Sequence, residues 1–189
     1  MKTCSFKNMT PQKELITCII LTFAINALFN IFYTYQYFFE ANTVVNNILS
    51  LCGKSLTLLV YLKLVTSRNT EINKKGRIGL SLLVLQTLLC MIENIVLNIV
   101  TIQPITISLF AILLFVIDII GLFTFVNGCN ITAELRRFIK WTPFIPSFIR
   151  VPLILLSAKT YTHAASVILD LCFLYIVYKL SGISEINNE

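Results

Sequence analysis

Long apolar runs separated by short polar segments make up most of the chain. The most apolar run, residues 105–128, holds a single charged residue, Asp118, near its middle. A helix rises about 1.5 Å per residue, so a run of this length crosses a hydrocarbon layer about 30 Å thick. The pattern predicts an all-α, polytopic integral membrane helix bundle of about six spans. These spans are residues 15–38, 43–65, 78–100, 105–128, 144–158 and 163–180.

The fifth of these runs, residues 144–158, is shorter than the others and contains Pro146 and Pro152. A proline inside a helix lacks an amide donor and frees a carbonyl about one turn earlier. The segment therefore either crosses as a broken helix or turns back as a re-entrant segment. The pattern leaves both possibilities open.

Residues 130–142 have the pattern of an amphipathic helix, apolar on one side and charged on the other. The apolar side chains are Ile131, Leu135, Phe138 and Ile139, and the charged ones are Glu134, Arg136, Arg137 and Lys140. Trp141 follows at the edge, and Pro143 blocks continuation of the helix. This pattern predicts a short helix lying in the plane of the membrane interface, with a solvated linker helix as the alternative.

The composition supports a membrane protein and leaves no room for a separate soluble domain. Of the 189 residues, 57% are hydrophobic and 13% are charged, with a mean hydropathy of +0.83. A soluble domain carries about 25% charged residues, so lipid must cover part of this surface. We expect one bundle over residues 15–180, preceded by an N-terminal segment (1–14) and followed by a polar tail (181–189).

The distribution of positive charge predicts the orientation of the bundle. With six spans and a cytoplasmic N-terminus, eleven of the 15 Lys and Arg residues fall on the inner side and only Lys159 on the outer side. Cytoplasmic loops are enriched in these residues, so both termini are expected in the cytoplasm. The basic loops suit anionic lipid headgroups, and they have few aromatic residues that could stack on nucleic-acid bases. Nothing in the pattern indicates which membrane is involved.

Ionisable residues within the apolar runs are the candidate functional groups. Each costs about 2.5–3.5 kcal/mol at a helix centre on insertion scales, so they are expected to gather along one axis and to pair. Lys54 could bridge to Asp118 or to Asp170, whereas Glu93 lies nearer the outer half and is the acid most exposed to water. The predicted polar pathway consists of Asn26, Asn30, Lys54, Glu93, Asp118, Arg150 and Asp170.

Two functions are compatible with buried charges of this kind. In a small transporter or channel-like protein, Asp118 and Asp170 would alternate between pairing with Lys54 or Arg150 and binding a cation or proton. In a membrane-complex subunit, adaptor or homo-oligomer, the same residues would only hold helices or partners together. A third interpretation is a receptor-like protein that reaches cytoplasmic partners through residues 66–77 and 130–142.

Few features of the sequence indicate an enzyme. His163 is the only histidine, and neither an HExxH nor a CxxC motif occurs, so no metal site is predicted. No GxSxG elbow is present. The surroundings of Asp118 and Asp170 lack the glycines expected for an intramembrane protease. We therefore expect a protein that is not an enzyme and has no cofactor.

Overall fold

Helices form nearly all of the computed structural model, which describes residues 9–38, 43–99, 103–155 and 159–182. The helices are α1 (Pro11–Phe38), α2 (Thr43–Thr66), α3 (Lys74–Ile99), α4 (Pro104–Asn127), α5 (Ala133–Trp141), α6 (Phe144–Leu155) and α7 (Lys159–Leu180). Over the described ranges, the only β-type pairing is an isolated antiparallel bridge between Ile72 and Cys129. The predicted all-α fold is confirmed.

Four helices, α1 to α4, are long and apolar enough to cross a membrane, and they occupy the first four predicted spans. The count of about six spans is not confirmed. α6 has 12 residues, which gives a length of about 18 Å, shorter than a hydrocarbon layer of about 30 Å. α7 has 22 residues, or about 33 Å. Residue 100 and residues 156–158 of the predicted spans lie outside the described ranges.

Both α1 and α3 begin four residues earlier than hydropathy predicts, at Pro11 and Lys74. At α1, Pro11 occupies the first helical position and the Thr10 hydroxyl accepts the Lys13 amide at 3.4 Å. At α3, the Asn73 side-chain oxygen accepts the Gly76 amide at 3.0 Å. These caps satisfy amides that would otherwise lack partners, and a hydropathy criterion does not detect them.

The long helices are arranged as a row that is closed into a ring by α5 and α6. α1 packs between α7 and α2, and α3 packs between α2 and α4. α5 contacts both α4 and α7, while α6 packs along α7. The Phe144 ring at the start of α6 meets Phe115 and Phe123 of α4 edge-on, at centroid distances of 6.4 and 6.5 Å. The short helices therefore fill the side of the ring between α4 and α7.

The buried core is concentrated at one end of this ring, which we call the closed end. It is formed by the start of α1, the end of α2, the start of α3, the end of α4, α5 and the end of α7. The fully buried side chains there are Leu15, Cys18, Leu64, Leu80, Leu83, Val126, Leu135 and Val177. At the opposite end the apolar side chains are more exposed, and Ile99 and Ile105 are 76% and 67% exposed.

Backbone pairing between two loops holds the closed end together. The Asn73 amide donates to the Gly128 carbonyl and the Asn130 amide donates to the Glu71 carbonyl, both at 2.9 Å. The Arg77 guanidinium donates to three carbonyls at the end of α2 and in the loop that follows it. The acceptors are Val65, Ser67 and Asn69, at 3.0, 2.8 and 3.3 Å. The segments expected to reach cytoplasmic partners thus bind each other.

The predicted amphipathic helix is present as α5, and its apolar side has a protein partner. Leu135 and Ile139 are buried in the core of the closed end, and Phe138 packs edge-on against Phe173 of α7 at 5.5 Å. Thr132 caps the helix by accepting the Leu135 amide. Because the bundle occupies the apolar side, that side is not available to lipid. The exposed Trp141 remains at its edge.

Glycine permits the close crossing of α3 and α4, and this predicts a stability effect. A Cβ atom at Gly79 would fall on the backbone of Phe125 and on the Gly121 carbonyl. Gly79→Ala is therefore expected to lower the free energy of unfolding by about 2 kcal/mol, although alanine is the better helix former by about 1 kcal/mol. Denaturant unfolding monitored by circular dichroism measures the free energy of unfolding of each variant. Ser81→Ala, at an exposed position two residues away, is the matched control; equal stability of the two variants would contradict the close crossing.

Candidate functional site

A small cavity of about 40 Å³ marks the inner boundary of the closed end. Five helices contribute to its wall, and most of the side chains are apolar. The lining residues are Ile19, Thr22, Phe23, Tyr61, Leu83, Leu122, Phe125 and Ile139. We call these eight residues the apolar plug. They lie between the interior of the ring and the loops of the closed end.

Polar residues continue the same interior faces beyond the plug. Residues four or seven apart lie on one side of a helix. Asn26 follows Thr22 by four residues on α1, and Asp118 precedes Leu122 by four residues on α4. On α2, Lys54 precedes Tyr61 by seven residues. The sequence-predicted residues Asn26, Lys54 and Asp118 therefore face the interior at the level just beyond the plug.

A hydrogen bond between α1 and α7 adds two further predicted residues to this level. The Asn30 side-chain amide donates to the Asp170 carboxylate. Asn30 lies one turn beyond Asn26, so the bond brings Asp170 to the same region. We call Asn26, Asn30, Lys54, Asp118 and Asp170 the polar layer.

Lys54 has a different partner from the one expected. Its ammonium donates to the backbone carbonyl of Cys90 on α3 at 3.2 Å. Within the described part of the chain it forms no salt bridge with Asp118 or Asp170, so the expected bridge is wrong for this conformation. A hydrogen bond from a lysine ammonium to a helical carbonyl does not depend on the hydrophobic pattern. The sequence therefore did not indicate this bond.

Asp118 is partly buried, and among the described residues no hydrogen bond or ion pair reaches its carboxylate. Asp118 lies within electrostatic range of the Tyr61 hydroxyl and of the Cys90 thiol. Lys54 engages the carbonyl of the same Cys90. Tyr61 and Cys90 were missed as neighbours, although Tyr61 shares a helix face with Lys54 at a spacing of seven.

Asn26 is exposed, although it follows the plug residue Thr22 by four residues on α1. The closed end therefore has a buried core, and polar side chains occupy the next turns of α1, α2 and α4.

The polar layer as defined here leaves out two predicted residues, Glu93 and Arg150. Glu93 is partly buried in a groove between α3 and α4 rather than in the ring interior. Arg150 belongs to α6, but its side chain lies outside the described residues, so its predicted role is not tested.

Further hydrogen bonds between spans involve residues absent from the predicted pathway. Asn94 of α3 donates to the Ser50 hydroxyl of α2 at 2.6 Å, and the Tyr33 hydroxyl of α1 donates to the Asn46 carbonyl of α2 at 3.2 Å. Burying such bonds in apolar surroundings fixes which helices meet. In the sequence, these bonds were indicated by polar residues that recur at helical spacing on each apolar run.

Cys129 at the closed end yields a prediction about pH. Burial raises the pKa of its thiol from 9.0 to about 12, and the nearby Arg136 guanidinium offsets this only in part. A raised pKa keeps the thiol protonated, so at pH 8 the thiolate is about a thousandfold scarcer than in an exposed cysteine. Mass spectrometry after maleimide treatment is expected to find Cys129 unlabelled in the folded protein and labelled after denaturation. An engineered Glu134→Cys, exposed on α5, is the control; equal labelling of the two thiols would contradict the burial.

These observations define the class of protein. The chain is an all-α protein whose four longest apolar helices suit it to membrane insertion, with a polar layer inside the ring. No family model, curated protein or solved structure matches it. Within the described ranges, no three His, Cys, Asp or Glu side chains are grouped as a metal site would require.

Proposed function

We propose that the protein is a small, non-enzymatic membrane transporter or channel-like protein that moves a proton or small cation through the polar layer. One observation carries this proposal. Asp118 faces the ring interior beyond an apolar plug, with no described partner for its carboxylate. An ion in apolar surroundings is costly unless it is neutralised, so an unpaired carboxylate is suited to taking up a cation or proton.

The proposed topology has six spans, with α6 as a short, proline-containing fifth crossing and α7 as the sixth. Both termini face the cytoplasm because the closed end carries the basic loops, including Arg68, Lys74, Lys75 and Arg137. These residues contact anionic headgroups. In this orientation the plug lies on the cytoplasmic side of the polar layer.

The proposed mechanism gives the acids different roles. Asp118 binds the cation or proton. Lys54 stays on the Cys90 carbonyl while Asp118 is loaded, and its ammonium approaches Asp118 when the cation leaves. Asp170, held by Asn30, is the second acidic site. Passage requires the plug to open, and α5 is the element that would move because Ile139 belongs to both α5 and the plug.

The direct test uses the full chain in liposomes that contain a trapped pH-sensitive dye. A potassium gradient with valinomycin supplies the driving force, and sodium or lithium gradients replace it in parallel samples. We expect internal acidification or cation uptake above that of protein-free liposomes. Folded, inserted protein that moves neither protons nor any of these cations would overturn the proposal.

The alternative is a membrane-complex subunit or adaptor in which polar residues serve only to hold helices. The hydrogen bonds Asn94–Ser50, Tyr33–Asn46 and Asn30–Asp170 favour it, because each joins two helices. Asp118 does not fit this alternative, since its carboxylate joins no helix to another within the described chain. The two functions therefore make opposite predictions for Asp118.

A further inference from the structure

The two loops of the closed end meet in a short stretch of antiparallel backbone. Ile72, between α2 and α3, lies opposite Cys129, between α4 and α5, and both residues are 3% exposed. The two backbone hydrogen bonds of 2.9 Å that join the loops flank this pair instead of lying within it. In such a pair the Cα atoms are about 4.5 Å apart. We call residues 71–73 and 128–130 the loop bridge.

One side of the loop bridge is attached to α5. The Arg136 guanidinium in the first turn of α5 donates to the Cys129 and Ile131 carbonyls, at 3.1 and 3.4 Å. Ile139, the α5 residue that belongs to the apolar plug, follows Arg136 by three residues. These contacts tie the position of Ile139 to that of segment 128–130.

The other side of the loop bridge is attached to the start of α1. The buried Asn69 side chain accepts the Glu71 amide at 2.9 Å and donates to the Pro11 carbonyl at 2.8 Å. It also donates to the Glu14 carboxylate at 3.2 Å, and Glu14 pairs with Lys63 of α2 at 3.7 Å. Because α1 contributes three residues to the plug, the loop bridge connects two helices that form the wall of the plug.

Two buried polar atoms beside the loop bridge have no hydrogen-bond partner among the described residues. They are Oε2 of Glu71 and Nε of Arg136. A buried polar atom without a partner is costly, and the cost is larger in a charged group. Backbone hydrogen bonds and core packing therefore favour the paired loops, whereas these two atoms oppose the pairing.

We propose that the loop bridge is a latch that keeps the apolar plug closed, and that α5 withdraws Ile139 from the plug only after segment 128–130 has separated from segment 71–73. This inference rests on the proposed function, in which the plug must open for an ion to pass. Movement of α5 away from α1 pulls the two segments apart, since each is bound to one of these helices. Separation exposes Glu71 and Arg136 to water, which makes the latch releasable.

The test locks the latch with a disulfide. Ile72→Cys places a second thiol opposite Cys129, at a separation that suits a disulfide, whose Cα atoms are about 4.4–6.8 Å apart. The full chain is oxidised with copper phenanthroline during purification, and half of the sample is then reduced with dithiothreitol. Mass spectrometry identifies the cross-link. The double variant Ile72→Cys with Cys129→Ser, treated in the same way, is the matched control.

Two measurements distinguish the latch from transport. Hydrogen exchange of the amides of residues 130–139 reports opening of the latch even if nothing is transported, and ion or proton flux in liposomes reports passage. We expect the disulfide to slow this exchange and to lower flux, each by at least about tenfold, and the reductant to reverse both effects. The control variant is expected to respond to neither treatment.

Three results would overturn the latch: absence of the cross-link, undiminished flux through cross-linked protein, or a slowing of exchange that all helices share equally. Equal exchange of residues 130–139 in oxidised and reduced protein would overturn it as well. Exchange slowed at residues 130–139 alone, in a protein without flux before cross-linking, would support the latch and contradict the proposed transport.

Two further variants decide the matter if the cysteine variant does not fold. Glu71→Gln removes the charge of the unpartnered carboxylate and is expected to slow exchange of residues 130–139 by at least about threefold. Gly128→Ala is expected to accelerate this exchange by at least about tenfold, because a Cβ atom there would fall on the backbone of Gly76. Glu134→Gln, at an exposed acid of α5, is the control. Wild-type exchange rates in both of the first two variants would overturn the latch.

Discussion

Replacing Asp118 with asparagine is expected to reduce ion or proton flux in liposomes by at least about tenfold, toward the protein-free rate. The amide keeps the size of the side chain but can neither carry a negative charge nor release a proton. The same change removes an ion from apolar surroundings, where it costs about 2.5–3.5 kcal/mol, so folded yield should be equal or higher. Flux and yield therefore move in different directions if Asp118 carries the transported ion.

Asp118→Glu is the matched variant, because it restores a carboxylate one methylene farther from the backbone. Partial recovery of flux is expected there, and Glu134→Gln on exposed α5 is expected to leave flux unchanged. The subunit or adaptor function predicts the reverse pattern. Normal flux in Asp118→Asn would contradict the transport mechanism. A loss of folded yield would show that the carboxylate stabilises the bundle.

The second large effect concerns the bond between α1 and α7. Asn30→Ala is expected to lower the free energy of unfolding by about 1.5–3 kcal/mol, because it removes a hydrogen bond to the Asp170 carboxylate in apolar surroundings. In a double-mutant cycle with Asp170→Ala, the coupling energy is expected to be about 1 kcal/mol or more. Denaturant unfolding in detergent micelles, followed by circular dichroism, provides the four free energies.

A parallel cycle on Lys54→Met and Asp118→Asn supplies the comparison. These two side chains form no salt bridge, so their coupling energy is expected to be clearly smaller than that of Asn30 and Asp170. A strong Lys54–Asp118 coupling with recovery of stability in the double variant would contradict the observed geometry. Such a coupling would instead support a direct ion pair between Lys54 and Asp118, which their opposite charges suggest.

The element types and most of their positions follow from hydropathy. An apolar run that reaches across a bilayer has to form a helix, because lipid offers no partner for backbone amides and carbonyls. That reasoning places α1 to α4 and identifies the amphipathic pattern of α5. It fails at helix ends, where Thr10 and Asn73 add a turn through hydrogen bonds. It leaves α6 undecided, because a helix of 12 described residues can be part of a broken crossing or of a re-entrant segment.

For the candidate site, the sequence predicted which residues are involved but not which partners they have. The cost of charge in apolar surroundings was sufficient to single out Lys54, Glu93, Asp118 and Asp170. Partner choice was not predictable, because charge signs suggest attraction without giving distance or competing acceptors. Lys54 illustrates this, since it engages a backbone carbonyl on α3 instead of a carboxylate. Glu93 illustrates it too, since it lies in the groove between α3 and α4.

The sequence by itself determined that the chain is helical, that several of its runs are long and apolar enough for a membrane, and that a few ionisable groups lie within them. These properties depend on local composition and on the period of a helix. Only the tertiary structure decided that the buried core lies at one end, that Asn30 meets Asp170, and that Lys54 engages a backbone carbonyl of α3. Such properties depend on which faces of distant helices pack together, and many packings satisfy the same hydrophobic pattern.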